Sequence, residues 1–203
     1  MAQLSFFSTD EFNLKLPQHL LEYIPGFYSE ADSFTFLNTL MENTPWKQDV
    51  INMYGKLVKT PRLTAWYGDE NSTYQFSGNK YSPLPWTNDL QKMRIKVEQA
   101  AGITFNSVLL NYYRDGNDSV AWHSDNEPEL RRFPIIASLS LGEARKFDIR
   151  HKQDHSNKHS IVLENGSLLL MKAQLQQEWH HRLAKSTKYL KPRINLTFRM
   201  VYH

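Results

Sequence analysis

The sequence predicts a mainly β fold with flanking helices. Three observations carry the prediction. Beyond Gly102, short segments over 105–113, 119–125, 134–141, 145–151, 160–164, 167–172 and 193–201 are apolar or alternate in polarity. Turn signals separate many of them: Asp115-Gly116-Asn117, Gly142, Asn165-Gly166 and Lys191-Pro192. Only two stretches, both before Gly102, keep helical spacing. Many short strands with such punctuation describe a sandwich or barrel.

Taken in order, the first thirty residues are mixed and end in Tyr23-Ile24-Pro25-Gly26-Phe27, which reads as a packed arm. Ser29 with Asp32 three residues on forms a helix start. Phe34, Leu37, Leu40 and Met41 follow at helical spacing, and Pro45 stops the run. Residues 50–86 mix β-formers with Gly and Pro, which predicts hairpins and loops. A second helix starts at Thr87 or Asn88, carries Leu90, Met93, Val97, Ala100 and Ala101 on one stripe, and ends at Gly102. One domain is expected, with residues 1–49 as an arm and helix packed on the core and 50–203 as hairpins and β core.

Composition excludes several classes. The 203 residues are 40% hydrophobic and 22% charged, enough for one core. There is no Cys, so disulfides, thiol nucleophiles, iron–sulfur clusters and Cys-ligated zinc are ruled out, and any metal must sit on His and carboxylates. No stretch reaches the twenty or so apolar residues of a membrane span. The first residues lack a basic n-region and an apolar h-region, so no secretion is expected. Net charge is +3 and aromatics make up 13%, which suits base stacking beside phosphates but equally suits a packed core.

Three strands carry polar residues out of place. In the last strand Arg193, Asn195, Thr197 and Arg199 share one face, while Ile194, Leu196, Phe198 and Met200 share the other. This describes a sheet with one wet face, or a pocket wall with two arginine forks suited to a small di-acid. Leu109, Asn111 and Tyr113 share a face in an otherwise aliphatic strand, and a buried Asn there needs partners. His123 and Asp125 are two apart and point the same way in extended chain. With a second His they would complete a 2-His-1-carboxylate triad, the ligand set that leaves positions open on iron. The candidates are His151, His155, His159, His180 and His181. The first three lie in a polar stretch that reads as a solvated loop, and spacing does not separate the last two.

Together, Asn111-x-Tyr113, His123-x-Asp125, His181 and Arg193-x-Asn195-x-Thr197-x-Arg199 resemble the signature of AlkB-type Fe(II)- and 2-oxoglutarate-dependent dealkylases. The resemblance spans roughly 50–200 and is nearest the animal DNA-repair members. Its further stretches are Tyr54-Gly55-Lys56, Pro61-Arg62, Tyr67-Gly68-Asp69, Tyr74-Gln75-Phe76-Ser77-Gly78, Pro83-x-Pro85-Trp86 and Tyr113-Arg114-Asp115-Gly116.

The resemblance implies a double-stranded β-helix, or jelly-roll, core. It implies Fe(II), 2-oxoglutarate and O2 as cofactors, and oxidative removal of N-methyl groups from bases such as 1-methyladenine and 3-methylcytosine. His123, Asp125 and His181 would hold the iron; His181 is chosen because it falls twelve residues before Arg193, as in the relatives. Arg193 would meet the distal carboxylate of 2-oxoglutarate, helped by Tyr113 and Asn195. Asn111 and Arg199 would lie nearer the iron, with Thr197 on the same wall.

On the substrate side, Tyr54, Gly55 and Lys56 resemble a hairpin tip that fills the gap left by a flipped base. Arg62 would touch phosphate or base. Tyr74 and Phe76, flanking Gln75, would form one wall of a base slot, with His123 near the other. One departure stands out: the relatives carry an acidic residue where this chain has Asn126, followed by Glu127. An amide donates as well as accepts, so a cationic lesion loses one favourable charge unless Glu127 supplies it. The expected partner is alkylated DNA, with RNA as a second candidate. No membrane is involved, and a monomer is expected. The location would be cytoplasmic in a bacterium and nuclear in a eukaryote. The alternatives are an oxygenase of the same type acting on a protein or small molecule, and a non-enzymatic β-domain that binds nucleic acid.

Overall fold

The computed structural model describes residues 17–202 apart from 54, 71, 73, 77–78, 131–133 and 189; at 53, 74–76 and 79–81 it describes the backbone alone. The chain enters through β1 (Leu21–Ile24) and α1 (Glu30–Asn43). β2 (Val50–Met53) then pairs with β3 (Lys56–Lys59) as a hairpin. β4 (Leu63–Gly68) follows, and β5 (Tyr74–Phe76) pairs with β6 (Asn79–Tyr81). α2 (Asn88–Ala101) leads into β7 (Ser107–Tyr113), β8 (Val120–His123), β9 (Ile136–Gly142) and β10 (Arg145–His151). Then come β11 (Lys158–Leu163), β12 (Leu168–Met171), α3 (Ala173–Glu178), β13 (Trp179–Leu183) and β14 (Arg193–Arg199).

Two antiparallel sheets form the core, a jelly-roll. The larger runs β1-β12-β9-β14-β7-β4 and the smaller β11-β10-β13-β8. β14 is held on both sides, by β7 and β9, over nearly its whole length. Its apolar residues Ile194, Leu196 and Phe198 are fully buried in a cluster with Leu37 and Leu40 of α1 and Leu90, Met93 and Val97 of α2. The helices therefore cover the outside of the larger sheet. A second apolar cluster, with Ile149, Ile161, Leu163, Leu169, Met171 and Trp179, fills part of the space between the sheets. Each such buried side chain contributes at most about 1.5–3 kcal/mol.

The helix starts follow the expected chemistry. The Ser29 hydroxyl accepts from the Asp32 backbone N–H at 3.1 Å and donates to its carboxylate at 2.7 Å. Thr87 caps α2 by accepting from the Leu90 N–H, and Gly102 ends it in the left-handed region. Two expected stripe residues are not buried: Phe34 is 50% exposed, because Ser33, Leu37 and Leu40 form the buried line of α1 and residue 34 is rotated ~100° from residue 33, and Ala100 is exposed beyond the Leu90, Met93 and Val97 line of α2. Two further strands were not expected. β1 adds an edge strand by pairing with β12, so part of the arm belongs to the sheet. β13 reads as polar, yet Trp179, His181 and Leu183 alternate inward. Among the described residues no helix is long and apolar enough to cross a membrane.

Gly142 shows how the sheet positions Arg193. Its φ is +86°, and a Cβ there would strike the Pro192 carbonyl oxygen. Only glycine lets β9 end where β14 begins, and Gly142 is the register partner of Arg193.

Candidate metal and cosubstrate site

β8 and β13 are neighbours, and their register sets His123 opposite His181. Asp125 follows just beyond the end of β8. His123, Asp125 and His181 each offer a ligand atom, and these atoms lie within 4.8 Å of one another, the only such cluster among the described residues. His181 Nε2 is 3.7 Å from Asp125 Oδ2, and His123 Nε2 is 3.9 Å from Oδ1. Donors ~2.1 Å from one ion and at right angles stand ~3 Å apart, so a small inward shift would complete three corners of an octahedron. The His123 Nδ1 lies 2.8 Å from the Ala121 carbonyl, which favours a proton on Nδ1 and a free lone pair on Nε2. His180, on the other face of β13, points away.

The protonation states also suit a metal. Burial opposes ionisation of Asp125, but the Arg199 guanidinium, by charge and hydrogen bond, overcomes it and holds the carboxyl below its usual range. Burial, with His123 nearby, pushes His181 down to about 3, so its imidazole is neutral at ordinary pH. A cation thus meets one carboxylate and a neutral imidazole, without first displacing protons from either.

The triad is braced. Arg199 NH2 pairs with Asp125 Oδ1 at 2.6 Å. The Asp125 backbone N–H donates to Gln176 Oε1 at 2.9 Å, and Gln176, 1% exposed, is delivered by α3. Replacing Gln176 with Met leaves that buried N–H without its acceptor. The variant is expected to lose about 1–3 kcal/mol of stability, read as a lower urea midpoint. An unchanged midpoint would show that this hydrogen bond is unimportant.

From the triad a cavity of ≈ 370 Å³ runs between the sheets. Its wall includes the polar face of β14, so Arg193, Asn195, Thr197 and Arg199 do line a pocket rather than a wet sheet face. Register lays Tyr113 beside Arg193, Asn111 and Ser140 beside Asn195, and Leu109 and Ser138 beside Thr197.

Arg193 is 1% exposed. Its guanidinium donates to the Ser140 hydroxyl at 2.7 Å and to the carbonyls of Glu143 and Leu163 at 3.2 Å each, while Nε has no partner. No carboxylate pairs with it among the described residues. Burial lowers its pKa to about 10, which leaves it charged. A buried cation without a protein anion is costly, and a di-acid in the cavity would answer it. The pocket therefore fits 2-oxoglutarate as well as the triad fits iron.

The other expected residues fall as follows. Tyr113 is buried against Arg62, Arg193 and Arg145. Asn195 donates to the Ser138 hydroxyl and the Leu139 carbonyl and accepts from Thr197, so its amide is largely committed to protein. Asn111 accepts from Arg62 Nε at 2.8 Å, which draws Arg62 into the cavity wall. Glu127 lines the cavity, whereas Asn126 is exposed and does not. Gly55 sits at the β2–β3 turn with φ +79°, and Lys56 is exposed at the start of β3. Tyr54 lies outside the described residues, as do the side chains of Tyr74, Gln75 and Phe76. Sequence reasoning missed Ser138, Ser140 and Gln176. The two serines carried a signal, since they alternate with Ala137, Leu139 and Leu141 in the pattern that flagged β14. Gln176, in a short helix, carried none.

A jelly-roll with this triad and an unanswered buried arginine defines an iron-dependent oxygenase class, and the comparisons agree. The chain belongs to the 2OG-Fe(II) oxygenase superfamily, whose profile matches residues 20–199. That membership brings Fe(II), 2-oxoglutarate and O2 as the cofactor set. Within the superfamily the chain is similar to alpha-ketoglutarate-dependent dioxygenase alkB homolog 3 from Homo sapiens, 41% identical over 187 residues, or 88% of this chain and 65% of that protein. It is also similar to DNA oxidative demethylase ALKBH2 from Bos taurus, 42% identical over 159 residues, or 74% of this chain and 57% of that protein. The chain thus spans about 65% of the length of the first of these. Two solved structures share its fold: OsALKBH1, with TM-score 0.64 and 18% identity over 89% of this chain and 97% of that one, and an oxidoreductase of the 2OG-Fe(II) oxygenase family from Burkholderia pseudomallei, with TM-score 0.61 and 11% identity over 100% and 94%.

Proposed function

We propose that this chain oxidatively removes alkyl groups from the bases of nucleic acid, with DNA as the leading substrate. The observation that carries the reading is the His123–Asp125–His181 cluster opening onto a cavity that holds Arg193 without an anionic partner. Relatives named as DNA oxidative demethylases support the choice of substrate.

The roles follow from position. His123, Asp125 and His181 hold the iron, and Arg199 keeps Asp125 ionised and aimed. Arg193 takes the distal carboxylate of 2-oxoglutarate, with Tyr113 and Ser140 around it. Asn111, Asn195 and Thr197 line the path between. Bound iron and cosubstrate supply oxidation by O2, in which 2-oxoglutarate ends as succinate and CO2 and one oxygen atom enters a methyl C–H bond. The hydroxymethyl adduct then separates as formaldehyde and the restored base. Glu127 supplies negative charge at the cavity, where a cationic 1-methyladenine or 3-methylcytosine would sit.

The β2–β3 hairpin is the substrate grip. Lys56, Leu57, Val58 and Lys59 are all exposed, and Leu57 is 78% accessible, so an apolar pair beside the turn is flanked by cations. Replacing Tyr54 and Lys56 together with alanine is expected to weaken oligonucleotide binding about tenfold or more, since one stacked aromatic alone is worth about 1–3 kcal/mol. Substrate-free turnover of 2-oxoglutarate should stay intact. Unchanged oligonucleotide binding would move the substrate class toward proteins or small molecules.

A further inference from the structure

Trp122 precedes the first histidine of the triad but faces the opposite way. β8 is the outer edge of the smaller sheet, and alternation sends His123 toward the cavity and Trp122 to the outside. There the indole is clamped. The Arg150 guanidinium carbon, from β10, lies 4.3 Å from the ring centroid, and that of Arg182, from β13, lies 4.4 Å from it. None of the three residues lines the cavity.

The rest of this outer face is cationic. Register places Lys158 beside Arg150, and Lys146 stands two residues along β10 beyond Asp148. Asp148 is the one acid among the outward positions of these strands. It is already committed to Arg182 at 3.0 Å, Lys146 at 3.5 Å and the Ser160 hydroxyl at 2.7 Å. Arg150 differs from Arg182 and Lys146, which both pair with Asp148. Its side chain makes no hydrogen bond or ion pair to any described residue, and it packs over the indole. A guanidinium held over an aromatic ring leaves its terminal N–H groups to meet an acceptor, while the Arg150 Nε is buried beside the fold. The stacking restricts the side chain in advance, so less freedom is lost when an anion binds.

The position selects the anion. His123 lines the cavity with 38% of its side chain exposed, and β8 is the edge strand, so the candidate iron site lies at that edge of the smaller sheet. A strand that delivers a base there runs on past the same edge, and its phosphates beyond the nearest neighbours of that base meet the face where Trp122 and its two arginines stand. We propose that the outer face of the smaller sheet, centred on the Arg150–Trp122–Arg182 stack, is a phosphate track for the strand flanking the base at the iron site. The track rests on the nucleic-acid reading above and adds a second binding surface, on the opposite side of the sheet from the cavity.

The test uses the double variant Arg150→Gln and Lys158→Gln, which touches neither triad nor cavity. Fluorescence anisotropy measures its binding to a long single-stranded oligonucleotide across a salt series. Dealkylation of a methylated trinucleotide, too short to reach the track, is followed in parallel. The expected result is an affinity for the long strand about five- to tenfold weaker. The log–log salt slope should be shallower by about 0.7 for each phosphate that the variant no longer neutralises. Trinucleotide turnover and melting temperature should match the wild type. Trinucleotide dealkylation with unchanged long-strand affinity and slope would overturn the track while sparing the proposed function. Polyglutamate competing as well as DNA for the wild-type face would overturn nucleic acid as its occupant. A wild-type chain that binds and dealkylates neither strand would overturn both proposals.

Discussion

His181→Ala is expected to abolish turnover, and His180→Ala to leave substrate-free turnover of 2-oxoglutarate close to wild type. The two histidines are adjacent, but strand alternation separates them completely. His181 is 3% exposed, faces His123 across the β8–β13 register and stands 3.7 Å from Asp125. His180 projects from the other face of the same strand. Losing an outer partner of a ligand commonly costs 10–100-fold in metal affinity, so losing the ligand itself should cost more than about 100-fold. Titration of the apo-protein with Mn(II) reads this without reference to catalysis. Normal metal binding by His181→Ala, or its loss in His180→Ala, would reverse the assignment.

Arg193→Gln is expected to raise the 2-oxoglutarate concentration for half-maximal turnover by about 10- to 150-fold, the equivalent of one charge-assisted hydrogen bond of about 1.5–3 kcal/mol. The maximal rate at saturating 2-oxoglutarate should change much less, because the proposed role of Arg193 is at the end of the cosubstrate remote from the iron. Arg193 also bonds Ser140, Glu143 and Leu163, so its replacement could loosen the sheet. A melting curve separates that effect from weakened binding. Saturation at an unchanged 2-oxoglutarate concentration in a folded variant would remove Arg193 from the cosubstrate site.

Much of the fold was legible because jelly-roll strands leave local marks. β10 begins and ends where its sequence pattern does, and the caps of α1 and α2 are carried by Ser29, Thr87 and Gly102. The polar face of β14 was legible as an anomaly, but its meaning was not. A wet face and a pocket wall share one pattern, and only the opposing sheet decides between them. β13 was missed because Trp-His-His-Arg-Leu lacks aliphatic alternation, although its inward residues include His181 of the His–Asp–His cluster. The choice of His181 needed the resemblance to relatives; in the fold it follows from cross-strand register, a long-range pairing between residues 123 and 181. Asn126 drew attention by its side-chain chemistry, yet Glu127 is the one that reaches the cavity. The 3-10 turn at Pro128–Leu130 begins directly after Glu127, and periodicity does not reveal where such a turn points a side chain.

The most direct test of the central claim is to incubate the protein with Fe(II), 2-oxoglutarate, O2 and an oligonucleotide carrying 1-methyladenine or 3-methylcytosine, with His123→Ala alongside. Base mass and succinate are measured together. The account predicts loss of one methyl mass for each succinate formed beyond the substrate-free background, and neither product from the variant. Succinate at the same rate with and without the oligonucleotide, with every methyl group retained across DNA and RNA substrates, would contradict it.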